Sequence, residues 1–194
     1  MRTLASPGEA KLVRKRSRFF ACALPVETEA DADAAVAELR RRFHDARHLV
    51  YAYRVLDAGT VRARADDAGE PAGSAGRPLL QLLTGSELTN VVVAVARYFG
   101  GVKLGVGGLA RAYRDAARAA VDAAGTVDMV PQAVVRVYLP HEHAGMALAA
   151  AARLRGQVVG QGYAGDMVLE ISLPRDKLDA LRTAVAPWGR VEEA

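Results

Sequence analysis

One cysteine, four lysines and no apolar stretch long enough to cross a bilayer set the first limits on this 194-residue chain. The lone Cys22 excludes an intramolecular disulfide and suits a reducing compartment. A membrane-spanning helix needs roughly 18 successive apolar residues, whereas a run such as Val91–Ala96, bounded by Asn90 and Arg97, is strand-sized. Arg14, Lys15 and Arg16 are not followed by the apolar core of a secretory signal, so no signal peptide and no membrane partner are expected, and the cytoplasm is the expected location. There are no internal repeats and no low-complexity tract beyond an alanine richness that helix propensity explains. What is present is ordinary for a folded protein: 51% hydrophobic and 25% charged residues, a balance that disordered chains lack.

The net charge of +4 is unevenly spread. Residues 126–194 carry seven Lys/Arg against eight Asp/Glu, leaving nineteen against fourteen in residues 1–125. Most of those cations are arginine, whose planar fork suits phosphate. The front of the chain is therefore open to a polyanionic partner.

Periodicity predicts a strand over Arg18–Leu24 and an alanine-rich helix over Glu29–Phe43 with Val36, Leu39 and Phe43 on one face. Strands over Leu49–Leu56 and Val61–Ala65 are joined by the turn Asp57-Ala58-Gly59. Asp66–Gly76 reads as loop, with Ser74 as the cap of a short helix holding Leu79, Leu80, Leu82 and Leu83. Thr89–Tyr98 is a β-branched run that suits a central strand buried on both faces. The stripe Leu109, Tyr113, Ala116, Ala117, Ala120, Val121 is helical and stops at Gly125. Beyond Gly125–Pro131, elements at Val134–Leu139, His141–Leu154, Gln157–Gly162, Asp166–Leu173, Arg175–Val185 and Arg190–Glu193 follow the ferredoxin-like order. The expectation is an α+β protein of two domains, 1–125 and 126–194.

The strongest chemical signal is the segment from Arg97 to Arg111. A buried strand runs into five glycines (Gly100, Gly101, Gly105, Gly107, Gly108) and then opens a helix. Helix N-termini offer free amides and partial positive charge, and glycine lets a ligand approach the backbone. Arg97, Lys103 and Arg111 add full charges. The expected site is an anion clamp formed by these three cations, with Arg47 and His48 nearby; the alternative is a plain turn that needs glycine for its backbone. Two familiar motifs are excluded. Gly105-x-Gly107-x-x-Ala110 fits a dinucleotide fingerprint, but the acidic residue that should close the next strand is absent, Asp128 preceding it. The Walker pattern fails because Leu104 follows Lys103.

Asp66, Asp67 and Glu70 form a second constellation, suited either to Mg²⁺ or to capping turns in a solvated loop. No other cofactor is expected. His141-x-His143 lacks a third ligand and does not share a helix face. Cys22 lies in an apolar strand and should be inert, and Trp188 should pack the second domain. Tyr51, Tyr53, Tyr98 and Phe99 can stack on bases only where they escape the core.

Arg47-His48, Asp66-Asp67-x-Gly69-Glu70-Pro71, Gly73-Ser74-Ala75-Gly76-x-Pro78, Asn90-Val91-Val92-Val93, Arg97-Tyr98-Phe99-Gly100-Gly101-x-Lys103-Leu104-Gly105 and Gly107-Gly108-Leu109-x-Arg111-Ala112-Tyr113 together resemble the YigZ/IMPACT family. The likeness is dense over about residues 15–125, and 130–194 is similar to the family's smaller C-terminal domain. Ala68 interrupts what is usually a contiguous Asp-Asp-Gly-Glu-Pro string, and Ala65 and Ala72 stand where hydroxyl residues are common. The resemblance implies an N-terminal domain similar to ribosomal protein S5 domain 2 and a ferredoxin-like C-terminal domain. It also implies a regulatory role in translation. Eukaryotic relatives contact their activator partner through an extra N-terminal domain, which does not match these residues, so that partner does not carry over. The expected function is non-enzymatic binding of RNA or the ribosome; a metal-assisted enzyme for a phosphorylated or nucleotide substrate and a protein–protein adaptor are the alternatives. Fold analogy alone does not choose among them.

Overall fold

In a computed structural model, which describes residues 1–57 and 59–193, the β-branched run ending at Tyr98 is the middle strand of a five-stranded antiparallel sheet. Its elements are β2 (Gly8–Arg14), β3 (Ser17–Pro25), β4 (His48–Asp57), β5 (Thr60–Asp66) and β6 (Val91–Tyr98), preceded by a short β1 (Arg2–Leu4). The sheet order is β2-β3-β6-β4-β5. Helices α1 (Glu29–Arg42), α2 (Gly76–Gly85) and α3 (Val106–Ala124) cover it. Ala58, in the predicted turn after Asp57, lies outside the described residues.

Two-sided burial of β6 follows from its alternating side chains. Val91, Val93 and Val95 join the core formed with α2 and α3, while Val92, Ala94 and Ala96 join the core formed with Ala32, Val36 and Leu39 of α1. The β-branched run therefore marks a strand covered on both faces, although its pairing is antiparallel. Helix α1 starts at a capping box in which Thr28 and Asp31 satisfy each other's backbone amides. Phe43 closes it as the C-cap and packs on the α1 core.

The chain divides into two compact units, Met1–Met129 and Val130 onward. This moves the boundary expected at 125/126. Thr126–Asp128 form β7, which pairs with β1, so these residues belong to the first unit. Strands of three residues carry no readable period, which is why β1 and β7 escape a sequence reading. The second unit contains β8 (Gln132–Leu139), α4 (Ala144–Arg153), β9 (Gln157–Ala164), β10 (Asp166–Pro174), α5 (Leu178–Val185) and β11 (Arg190–Glu193). Its sheet order, β11-β8-β10-β9, is the ferredoxin-like arrangement. Single 3-10 turns at His141–His143 and Arg175–Lys177 lead into α4 and α5. Trp188 packs against this second core, as expected.

Candidate functional site

The first unit gathers its charged and glycine-rich segments at one end of the sheet, where β6 leaves and β4 begins. Arg97, the penultimate residue of β6, is buried, and its Nη1 donates to Glu70 Oε1 at 2.6 Å. Tyr113, on α3, donates its hydroxyl to the same oxygen at 2.7 Å. Only 8% of the Arg97 side chain and 4% of the Glu70 side chain remain accessible, so this is an ion pair shielded from water. The Arg97 guanidinium lies between two rings, 5.7 Å from the centroid of Phe19 and 5.6 Å from that of Phe99. Burial, and then the bond to Glu70, raise the Tyr113 phenol well above its ordinary range. One donor is left over: Arg97 Nε is buried without an acceptor.

Two members of this triad, Arg97 and Glu70, line a cleft of about 470 Å³ together with Arg47, His48, Phe99, Lys103 and Leu104, while Tyr113 stays fully buried behind it. Phe99 is 54% exposed. His48 Nδ1 stands 2.8 Å from the Ala68 carbonyl. A carbonyl only accepts, so Nδ1 carries the proton, and Nε2 is an acceptor in the neutral ring and a donor in the charged one. Gly105 and Val106 close the cleft, bringing the N-terminus of the 19-residue α3 to it. No side chain caps this helix, so its first-turn amides point outward without a protein acceptor among the described residues. Among those residues no carboxylate pairs with Arg47, Lys103 or Arg111.

The glycines differ in what holds them. A Cβ on Gly100 would stand 2.1 Å from the Arg16 carbonyl carbon, so the loop lies against the β2–β3 turn, and Gly100 N–H donates to Ser17 Oγ at 3.2 Å. Gly105 has φ 73° and ψ 163°, a region open only to glycine. Gly101 also has positive φ. Gly108 sits tightly against Leu104. Gly107 is exposed, helical, and has room for a Cβ, so no feature of the fold demands glycine there.

Three expectations are corrected. Arg97, Lys103 and Arg111 do not converge: Arg97 is engaged by Glu70, and Arg111 lines a different cleft with Arg14 and Lys15. Asp66, Asp67 and Glu70 do not form a metal-sized cluster, and no group of three His, Cys, Asp or Glu suited to a metal occurs among the described residues. Asp66 accepts from Ala68 N–H, Glu70 belongs to the triad, and Asp67 accepts from the amides of Gly73, Ala75 and Gly76 at 2.7–2.9 Å. Ser74 does not cap α2. Ala75 is the N-cap, Asp67 reaches the helix amides from the loop, and Ser74 Oγ is buried without a partner. Of the four aromatics, Tyr51 and Tyr53 are core, Tyr98 bonds Asp45, and Phe99 alone lines the cleft. Cys22 is buried, with its thiol pushed up to about 11 by burial. A reading of the sequence missed Tyr113 as a polar partner, because its place in an apolar stripe is its only local signal.

The Impact N-terminal domain family model matches residues 15–121. The IMPACT family member YvyE of Bacillus subtilis is 38% identical over 111 residues, 57% of this chain and 51% of that protein, so the chain spans about half of this relative's length. The IMPACT family member YigZ of Escherichia coli is 29% identical over 178 residues, 91% of this chain and 87% of that protein. A solved structure described only as a hypothetical protein covers 96% of this chain and 91% of its own, with 27% identity and a TM-score of 0.75.

Proposed function

Because this chain belongs to the Impact N-terminal domain family, we propose that it is a non-enzymatic, translation-linked binding protein whose first unit takes a phosphate group of an RNA in the cleft beside Gly105. The translation link rests on the role the family resemblance implies. The phosphate reading rests on one observation above all: a cleft with a nine-tenths-buried arginine at its floor, an unused Nε donor on that arginine, and an uncapped helix N-terminus at its mouth. Arg47 and Lys103 supply charge that no carboxylate among the described residues neutralises, and Phe99 supplies a face for a base or ribose. The enzyme reading loses support because the acidic loop's carboxylates are engaged in capping and ion pairing.

Binding of inorganic phosphate and of short single-stranded RNA, measured by calorimetry, tests the reading. Wild type should bind both, and Lys103→Ala should weaken both while leaving the thermal midpoint in place, since Lys103 is exposed and has no carboxylate partner among the described residues. For single strands each lost phosphate contact should flatten the log–log salt slope by about 0.7. Failure of wild type to bind either ligand would return the loop to a structural turn and favour the adaptor reading.

A further inference from the structure

Leu104 forms a wall of two clefts at once. On its far side from His48 lies a cleft of about 320 Å³ that carries Arg14, Lys15 and Arg111 around one carboxylate, Asp115. Arg14 meets Asp115 only loosely, at 3.8 Å with both side chains about half exposed. Lys15 and Arg111 have no carboxylate partner among the described residues. In the second unit, by contrast, Arg136, Arg175, Lys177, Arg182 and Arg190 are each paired with an acidic side chain. Arg153 and Arg155 of that unit lack such a partner too among the described residues, so what sets the first-unit patch apart is that three cations line one concave surface with a single, loosely held carboxylate, an arrangement suited to an external anion.

The patch is built as well as charged. Lys15 and Arg16 both adopt left-handed backbone conformations, with φ 46° and 66°. A two-residue turn of this kind normally draws Asn-Gly. Here it presents two cations, and it is seated on the glycine loop through the close contact of Gly100 with the Arg16 backbone.

We propose that Arg14, Lys15 and Arg111 form a second phosphate position, so that the ligand is a single RNA strand crossing the Leu104 wall from one cleft to the other. This rests on the reading of the first cleft given above. The Arg111 side chain runs back toward the start of α3, its Nη1 3.8 Å from where a Cβ on Gly107 would stand. Leu104 stands between this cation's cleft and that of Arg47 and His48. The two positions are therefore assigned to successive phosphates of one strand, one on each side of that wall.

The experiment compares inorganic phosphate, uridine monophosphate and oligouridylates of two to eight nucleotides on wild type and on Lys15→Asn/Arg111→Gln. Asparagine tolerates the backbone at position 15, and glutamine keeps the helix at 111, so the fold is preserved. Wild-type affinity should rise with length and then level off. The double variant should lose that gain and one of the two inorganic-phosphate sites of wild type, while the first cleft's site is kept. Three contacts in the second cleft correspond to about a 20-fold weakening between ~50 and ~200 mM salt, and removing two of the cations should flatten the slope by about 1.4. Retained phosphate binding with no dependence on length overturns the second position alone. Loss of phosphate binding by wild type overturns the reading of the first cleft and this one with it. Equal competition by a polyglutamate peptide of matched charge would also overturn the proposal, because the patch would then take an acidic protein segment.

Discussion

Glu70 holds two donors on one oxygen, and both donors come from elements far apart in the chain, β6 and α3. Removing its charge leaves the Arg97 guanidinium buried without a counter-ion. Glu70→Gln should therefore cost about 3–5 kcal/mol in a urea titration. Glu70 is thus not part of a solvated loop, one of the two readings the sequence allowed for it. Tyr113 adds a pH dependence whose sign is fixed by its raised phenol. The unfolded chain loses that proton near pH 10, whereas the folded chain keeps it, so stability is intact below this value and falls as pH rises through it. Tyr113→Phe should remove up to about 1.4 kcal/mol per pH unit from the alkaline slope. Gly107 offers the sharpest separation of fold from function. With helical backbone and space for a methyl, Gly107→Ala should raise stability by about 0.5–1 kcal/mol. The same methyl crowds the face where an anion meets the α3 amides, so phosphate affinity should drop. A gain in stability with unchanged affinity would remove the ligand from this turn.

At the scale of elements, the acidic loop and α2 are one construction. Pro78 has no N–H, and Asp67 accepts from Gly76 and two amides just before it. Asp67→Ala should cost about 2–3 kcal/mol. Ser74→Ala should change stability by no more than ~0.5 kcal/mol, or raise it, because its hydroxyl is buried without a partner. The reverse ranking of midpoints would restore Ser74 as the cap. The sequence misled here because a serine two residues before a helix is the ordinary capping signal, while an aspartate nine residues upstream gives none. Where an element's own residues decide its form, the reading was sound. The period of α1, the double burial of β6 and the glycine stop of α3 at Gly125 were all visible. The site was legible only in part. The structure brings the loop, Arg47, His48 and Lys103 to one cleft, but whether a cation is free or already paired depends on contacts between distant segments. That is why the pairing of Arg97 with Glu70 and the place of Arg111 in a second cleft left no trace in the sequence.

At the scale of the whole molecule, the ferredoxin-like half could be read from element order, because its strands are long enough to carry a period. The limit of the first half could not, because it depends on two three-residue strands. Arg2, Thr3 and Leu4 lie opposite Asp128, Val127 and Thr126, Met129 N–H donates to the Met1 carbonyl, and Leu4 is buried in the core beneath α2 and α3. A fragment ending at Met129 keeps this pairing; one ending at Gly125 strips β1 of its partner and uncovers Leu4. At about 0.5–1.5 kcal/mol per hydrogen bond lost, the shorter fragment should melt roughly 5–10 °C below the longer one. Both should keep the Arg97–Glu70–Tyr113 triad, since its bonds run among β6, the acidic loop and α3. Phosphate binding at low temperature should therefore be equal in the two fragments, even as their midpoints separate. Equal midpoints would show that β7 adds nothing to the first unit and would return the boundary to Gly125. A fragment 1–129 that fails to fold would mean that the first unit depends on the residues from Val130 onward.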